Sequence, residues 1–226
     1  MLPYLYNGPC RITKKAPRGI CGCDVHGIVG RNYLKFTAGG AATHSDHGRE
    51  ICHTLYEASA DGCYKVKDPE KLIRIANEWG METEGKDIYE LAHEVALEGL
   101  MEYGKPFGTQ RFLKRAPESQ QKLWEENELA PHAIDREVSR SLHMAHMGCS
   151  SKPEALVKQS IRAGLSDGWG GSMMGTEFSD ILFGTPKPIE TEANLGVMVE
   201  ENVNIVVHGH DPSLSEMICE VADSQK

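Results

Sequence analysis

The sequence predicts a mainly α-helical protein, with a helical domain that runs into the first strand, loop and helix of a Rossmann-like α/β domain. Three observations carry this. Apolar residues recur at helical spacing through most of residues 26–165. The one convincing Val/Ile run, Val203-Asn-Ile-Val-Val-His208, lies close to the C-terminal end. Gly209-His210-Asp211-Pro212 and an amphipathic helix from Ser213 follow it, which is how a parallel α/β sheet begins.

The chain divides into a cysteine- and glycine-rich segment over 1–25, a helical domain over 26–165, and a connector with the start of an α/β domain over 166–226. Gly27 to Asp61 is rich in small and apolar residues and predicts a buried helix. Asp68-Pro69-Glu70 opens a helix over Lys71–Trp79, which Gly80 ends by accepting the left-handed cap conformation. Asp87–Glu102 is amphipathic, and Gly104-Lys105-Pro106 breaks it. Thr109–Asn127 predicts an exposed, highly charged helix. Helices over Ala133–Met147 and Glu154–Leu165 follow, the second started by Pro153. Asp167–Gly175 reads as too glycine-rich for a regular element, Phe178–Phe183 as a short helix or turn, and Gly184–Pro188 as an extended break.

Composition excludes several functions. The 226 residues carry a formal net charge of −9, which opposes nucleic acid as the main partner. No apolar run approaches the ~20 residues of a membrane span. MLPYLYNGPC has neither a basic n-region nor a signal-peptide core, so a cytoplasmic location is expected. The seven cysteines are odd in number and unevenly spread, which does not suit a disulfide framework. Cys10, Cys21 and Cys23 crowd into the first 23 residues, and that crowding favours metal there. The four others, Cys52, Cys63, Cys149 and Cys219, are expected to be structural.

Three patterns carry chemistry. In Gly8-Pro9-Cys10 … Gly19-Ile20-Cys21-Gly22-Cys23, glycines beside cysteines let backbone amides approach the sulfurs of an iron–sulfur cluster. Three thiols fall short of four, so the residues alone leave a metal site and buried thiols as equal alternatives. In Ala41-Ala-Thr-His44-Ser-Asp-His47-Gly-Arg-Glu50-Ile-Cys-His53, steps of three place His44, His47, Glu50 and His53 on successive helical turns. Such a stripe suits proton transfer, since imidazole changes charge near neutral pH; unrelated histidines are the bland alternative. His208 and His210 stand at the carboxyl end of the strand, where open α/β sheets bind ligands, although a strand-end histidine is more often hydrogen-bonded structure. His143 and His146 read as core or surface.

The same residues resemble a family. Gly8-Pro-Cys10-Arg-Ile, Gly19-Ile-Cys21-Gly, the His44/His47/His53 ladder, Asp180-Ile-Leu-Phe-Gly-Thr-Pro186, Glu192-Ala-Asn-Leu-Gly196 and Val207-His-Gly-His-Asp-Pro212 occur in that order in the catalytic subunit of anaerobic nickel–iron–sulfur carbon monoxide dehydrogenases. The resemblance covers essentially the whole chain but only the first third or so of that subunit. It implies that Cys10 and Cys21 are ligands of an electron-relay [4Fe–4S] cluster and that His44, His47 and His53 form a proton relay. It implies that His210 is the single imidazole ligand to iron in a nickel–iron–sulfur active site. The implied reaction is CO + H2O to CO2 with two protons and two electrons, passed to a ferredoxin-like acceptor by a homodimer that associates in some cases with acetyl-CoA synthase.

The departures are specific. Leu5 stands about where the family has a further cysteine, Cys23 is an extra candidate ligand, and Glu50 replaces what is often another histidine. The downstream cysteines that hold nickel have no place in this chain, which is expected to be truncated at both ends and inactive alone. A hybrid-cluster-type hydroxylamine reductase fragment is one alternative, and the histidine ladder argues against it. A non-catalytic fragment acting as a helical partner is the other.

Overall fold

The computed structural model describes residues 12–188 apart from 63 and 148, together with 190, 201, 203, 205 and 212–225. The core of the molecule is built around α1, Val25–Asp61, a helix of 37 residues. Asp24 starts it by accepting from the Gly27 N–H, and Gly62 stops it with a left-handed φ of 67°. On one face of α1, Leu34, Ala38, Ala41, Ser45, Gly48, Cys52, Leu55 and Ala58 are buried. The opposite face is exposed along its length, so α1 is not buried all round as expected from its composition.

Among the described residues seven further α-helices follow: α2 (Pro69–Glu78), α3 (Ile88–Gly104), α4 (Glu118–Glu126), α5 (Ile134–His146), α6 (Pro153–Ser166), α7 (Met173–Phe183) and α8 (Pro212–Ser224). Helices α3, α5, α6 and α7 all pack on α1. The C-terminal half of α1 shares a core with α2, α3 and α7, centred on Leu55, Ile75, Val95, Phe178 and Leu182. Its N-terminal half places Leu34 against Ala145 of α5 and Leu156 of α6. Helix α2 is capped by Asp68, whose carboxylate accepts from the Lys71 N–H at 2.9 Å and from Thr185 Oγ1 at 2.5 Å. The extended Gly184–Pro188 break is thereby fastened to the start of α2.

The helix expected over 109–127 is broken in two. A 3-10 turn at Arg111–Arg115 ends before Pro117, and α4 begins after it. Phe112 and Leu113 turn inward, because Trp79 stacks near Phe112 with ring centroids 5.3 Å apart. The glycine-rich stretch after Ser166 is also regular. Asp167–Ser172 forms a π-helical turn that continues directly into α7. Glycine serves close approach there: a Cβ at Gly171 would meet Ile134 Cδ1 at 2.8 Å and His44 Cβ at 3.0 Å.

Among the described residues there is no strand and no helix long and apolar enough to cross a membrane. The strand expected over 203–208 falls largely outside them. Val203 and Ile205 lie outside regular structure and are exposed.

One buried ion pair joins α5 to α6. The Glu137 side chain is fully buried, and its carboxylate accepts from Arg162 Nη2 at 2.6 Å, Gln159 Nε2 at 2.8 Å and the His132 N–H at 2.8 Å. Burial alone would raise the Glu137 pKa, but the donors from Arg162, His132 and Gln159 outweigh it and hold the carboxyl below its ordinary value. A depressed folded pKa means stability that is complete above the ordinary carboxylate pKa and lost as pH falls through the folded one. Glu137→Gln leaves the Arg162 charge buried without its counter-ion, at a cost of about 3–5 kcal/mol near neutral pH. In chemical denaturation, that deficit relative to wild type is expected to shrink as the pH drops below the carboxylate range. A deficit that stays constant with pH would contradict the ion-pair account.

Candidate functional site

The exposed face of α1 carries the histidines. His44, His47, Glu50 and His53 are all exposed, one helical turn apart, while Ser45, Gly48 and Cys52 between them are buried. Three-residue steps advance about 4.5 Å along a helix and turn slowly around it. The stripe expected from the sequence is therefore present as a surface feature of this chain.

His44 is held at one end. Its Nδ1 lies 2.6 Å from Asp167 Oδ1 and 3.3 Å from Ser172 Oγ. Both partners come from the π-helical turn, which packs against α1. A carboxylate only accepts, so Nδ1 carries the hydrogen and Nε2 is left as the ring's proton acceptor. Asp167 and Ser172 were not legible as functional residues, because the run Asp167-Gly-Trp-Gly-Gly-Ser172 has the composition of a loop. The retrievable signal was an acidic residue just beyond the helix expected over Glu154–Leu165.

The cysteines separate. Cys10 lies outside the described residues, as do His208, His210 and Cys63. Cys21 is exposed and Cys23 is 1% exposed, its thiol packed against Gly27. The Cys23 N–H and the Arg31 guanidinium both donate to Cys21 and lower its pKa, whereas burial raises that of Cys23. Arg31 Nη1 stands 3.4 Å from Cys21 Sγ, and its Nε donates to Ser150 O at 2.7 Å. Cys21 is thus an exposed thiol with a lowered pKa, and Cys23 a packed one. Cys52 is buried beside Tyr103 Oη, 3.8 Å away, and burial pushes its pKa up to about 12. Cys149 and Cys219 are exposed, against the expectation that the scattered cysteines are structural; Cys149 Sγ lies 3.4 Å from His143 Nε2. Among the described residues no three His, Cys, Asp or Glu side chains form a group that could hold a metal ion.

Residues 5–226 match the model of the Prismane/CO dehydrogenase family. The chain belongs to that family. It is 45% identical over 221 residues to carbon monoxide dehydrogenase 1 of Methanosarcina acetivorans, covering 96% of this chain and 35% of that one. It is 39% identical over 223 residues to the carbon monoxide dehydrogenase/acetyl-CoA synthase subunit beta of Moorella thermoacetica, covering 95% and 33%. Among solved structures, a nickel-free carbon monoxide dehydrogenase from Thermococcus sp. AM4 superposes with a TM-score of 0.87 at 47% identity, covering 95% of this chain and 35% of that one. The chain therefore spans about a third of the length of these relatives, and its helical fold is that of this family's N-terminal part.

The Asp167 contact has a spectroscopic consequence. By 15N NMR, His44 is expected to be chiefly the Nδ1–H tautomer at a pH where it is neutral. Asp167→Ala is expected to shift it towards Nε2–H, the form imidazole favours when free. An unchanged tautomer ratio would mean that Asp167 does not orient the ring.

Proposed function

We propose that this chain supplies the proton path and part of the electron relay of an enzyme that converts CO and water to CO2, two protons and two electrons. The observation that carries the reading is the single exposed stripe His44–His47–His53 on α1, anchored at His44 by Asp167. Protons leave the reacting water one at a time and need an acceptor with a free lone pair. His44 offers Nε2 because Asp167 occupies Nδ1, and the next imidazole, His47, stands about one turn away. Glu50 is a titratable group between His47 and His53 and keeps the stripe continuous.

A [4Fe–4S] cluster supplies one-electron transfer, and Cys10 and Cys21 are the residues that would hold it. The donor chemistry around Cys21 fits that role: it is exposed and has two hydrogen-bond donors on its sulfur. Cys23, a third candidate, is disfavoured by its burial. His210 is the proposed imidazole ligand at a nickel–iron–sulfur centre, with the strand Val203–His208 and α8 as the start of a Rossmann-like α/β unit. The division into 1–25, 26–165 and 166–226 belongs to the same proposal.

A ferredoxin-like acceptor follows from single-electron delivery, and a cytoplasmic location belongs to the same proposal. Association with acetyl-CoA synthase is suggested by the relative from Moorella thermoacetica. The homodimer is supported by α1 itself. Val29, Tyr33 and Phe36 are 61%, 56% and 56% exposed and, with Gly40, follow the alternating four- and three-residue spacing of a helix-pairing seam.

In the complete enzyme, His47→Ala or His53→Ala is expected to slow CO oxidation by roughly tenfold or more. Iron and nickel content should be unchanged, and small imidazole-like bases should partly rescue the rate. Loss of metal or of folding in these variants would make the stripe structural and end the relay reading.

A further inference from the structure

We propose that Arg31 is a positioning residue of the electron relay: it presents a fixed cationic hydrogen-bond donor to the sulfur of Cys21 and raises the potential of the cluster bound there. This rests on the reading of Cys21 as a cluster ligand.

The geometry is that of a bridge. Arg31 rises from the second turn of α1 and is half-buried, and its planar guanidinium is used on two edges. Nε donates to Ser150 O at 2.7 Å, and Nη1 reaches Cys21 Sγ at 3.4 Å. The two partners lie 119 and 10 positions away along the chain, so the contact exists only in the folded protein. The Ser150 carbonyl is itself placed by the short link between α5 and α6. That link runs against the start of α1, where Ser151 O would stand 2.9 Å from a Cβ at Gly27. The carbonyl therefore aims the guanidinium, and the guanidinium is oriented before any electron arrives. Lysine has a point charge on a flexible stem and lacks this rigid, two-edged fork.

The electrostatics give the sign. When the cluster takes one electron, no bond is made or broken, and its negative charge, shared with the ligating sulfurs, grows by one. A donor that carries a positive charge stabilises the reduced form more than the oxidised form. The backbone N–H of Cys23 acts in the same sense without a charge. The potential of the relay is thus set partly by a side chain that is not a ligand.

The test is an EPR-monitored redox titration of the relay cluster in the holoenzyme, with iron measured on the same samples. Arg31→Met is expected to move the redox equilibrium about tenfold towards the oxidised form, about 59 mV more negative for one electron, with iron content unchanged. Arg31→Gln keeps a neutral donor and should shift it in the same direction by less. An unchanged potential in either cluster-loaded variant overturns the proposal. So does loss of the relay cluster from both, which would make Arg31 a purely structural tie. Cys21→Ser separates the underlying reading: if that variant keeps a normal relay cluster, Cys21 is not a ligand and the assignment beneath the proposal fails.

Discussion

The distance at which neighbours can approach α1 sets the rest of the molecule. Its buried face alternates small side chains, Ala38, Ala41, Ser45, Gly48 and Cys52, before reaching Leu55. A Cβ at Gly48 would collide with Tyr103 Oη of α3 and stand 3.2 Å from Gly171 O and 3.4 Å from the Gly175 amide of α7. Three elements therefore meet at one glycine. Packing in protein interiors is dense enough that a single added methyl at such a point must displace something. Backbone on the far side of that contact cannot shift cheaply.

This close packing connects the core to the chemistry. The π-helical turn that packs against Gly48 also carries Asp167 and Ser172, the two partners of His44 Nδ1. The extra residue per turn redirects the chain between α6 and α7 and points a carboxylate at the exposed edge of α1. At the other end of α1, Arg31 ties Cys21 to the link between α5 and α6. In the proposed function, one helix thus carries the proton path on its exposed face and stands beside the loop of the electron relay.

The sequence made several helices legible where a start signal and apolar spacing agree: Asp68-Pro69 before α2, Asp87 before α3 and Pro153 at the start of α6. The register of the histidines was legible for the same reason, since a three-residue step fixes their face once the helix is given. Two features were hidden. Gly170 and Gly171 read as a loop because composition does not distinguish glycine used for a turn from glycine used for contact. Phe112 was assigned to a charged surface helix, since its neighbours Arg111, Lys114 and Arg115 are charged. Arg111 pairs with Glu98, and Arg115 with Glu78 at 2.6 Å and with Glu177 at 3.0 Å, while Phe112 turns into the core. The burial of Cys23 beside an exposed Cys21 was also beyond sequence reasoning, because adjacent glycines permit either orientation.

The dependence of the fold on close approach to α1 is tested most directly by hydrogen–deuterium exchange of wild type and Gly48→Val. The account predicts that the variant loses protection together over the middle of α1, over α3 near Tyr103 and over Asp167–Phe183. Protection between α1 and α6 around Leu34 and Leu156 should persist, because that contact lies in the separate cluster at the other end of α1. A loss confined to the turn of α1 around residue 48, with α3 and α7 as protected as in wild type, would contradict it.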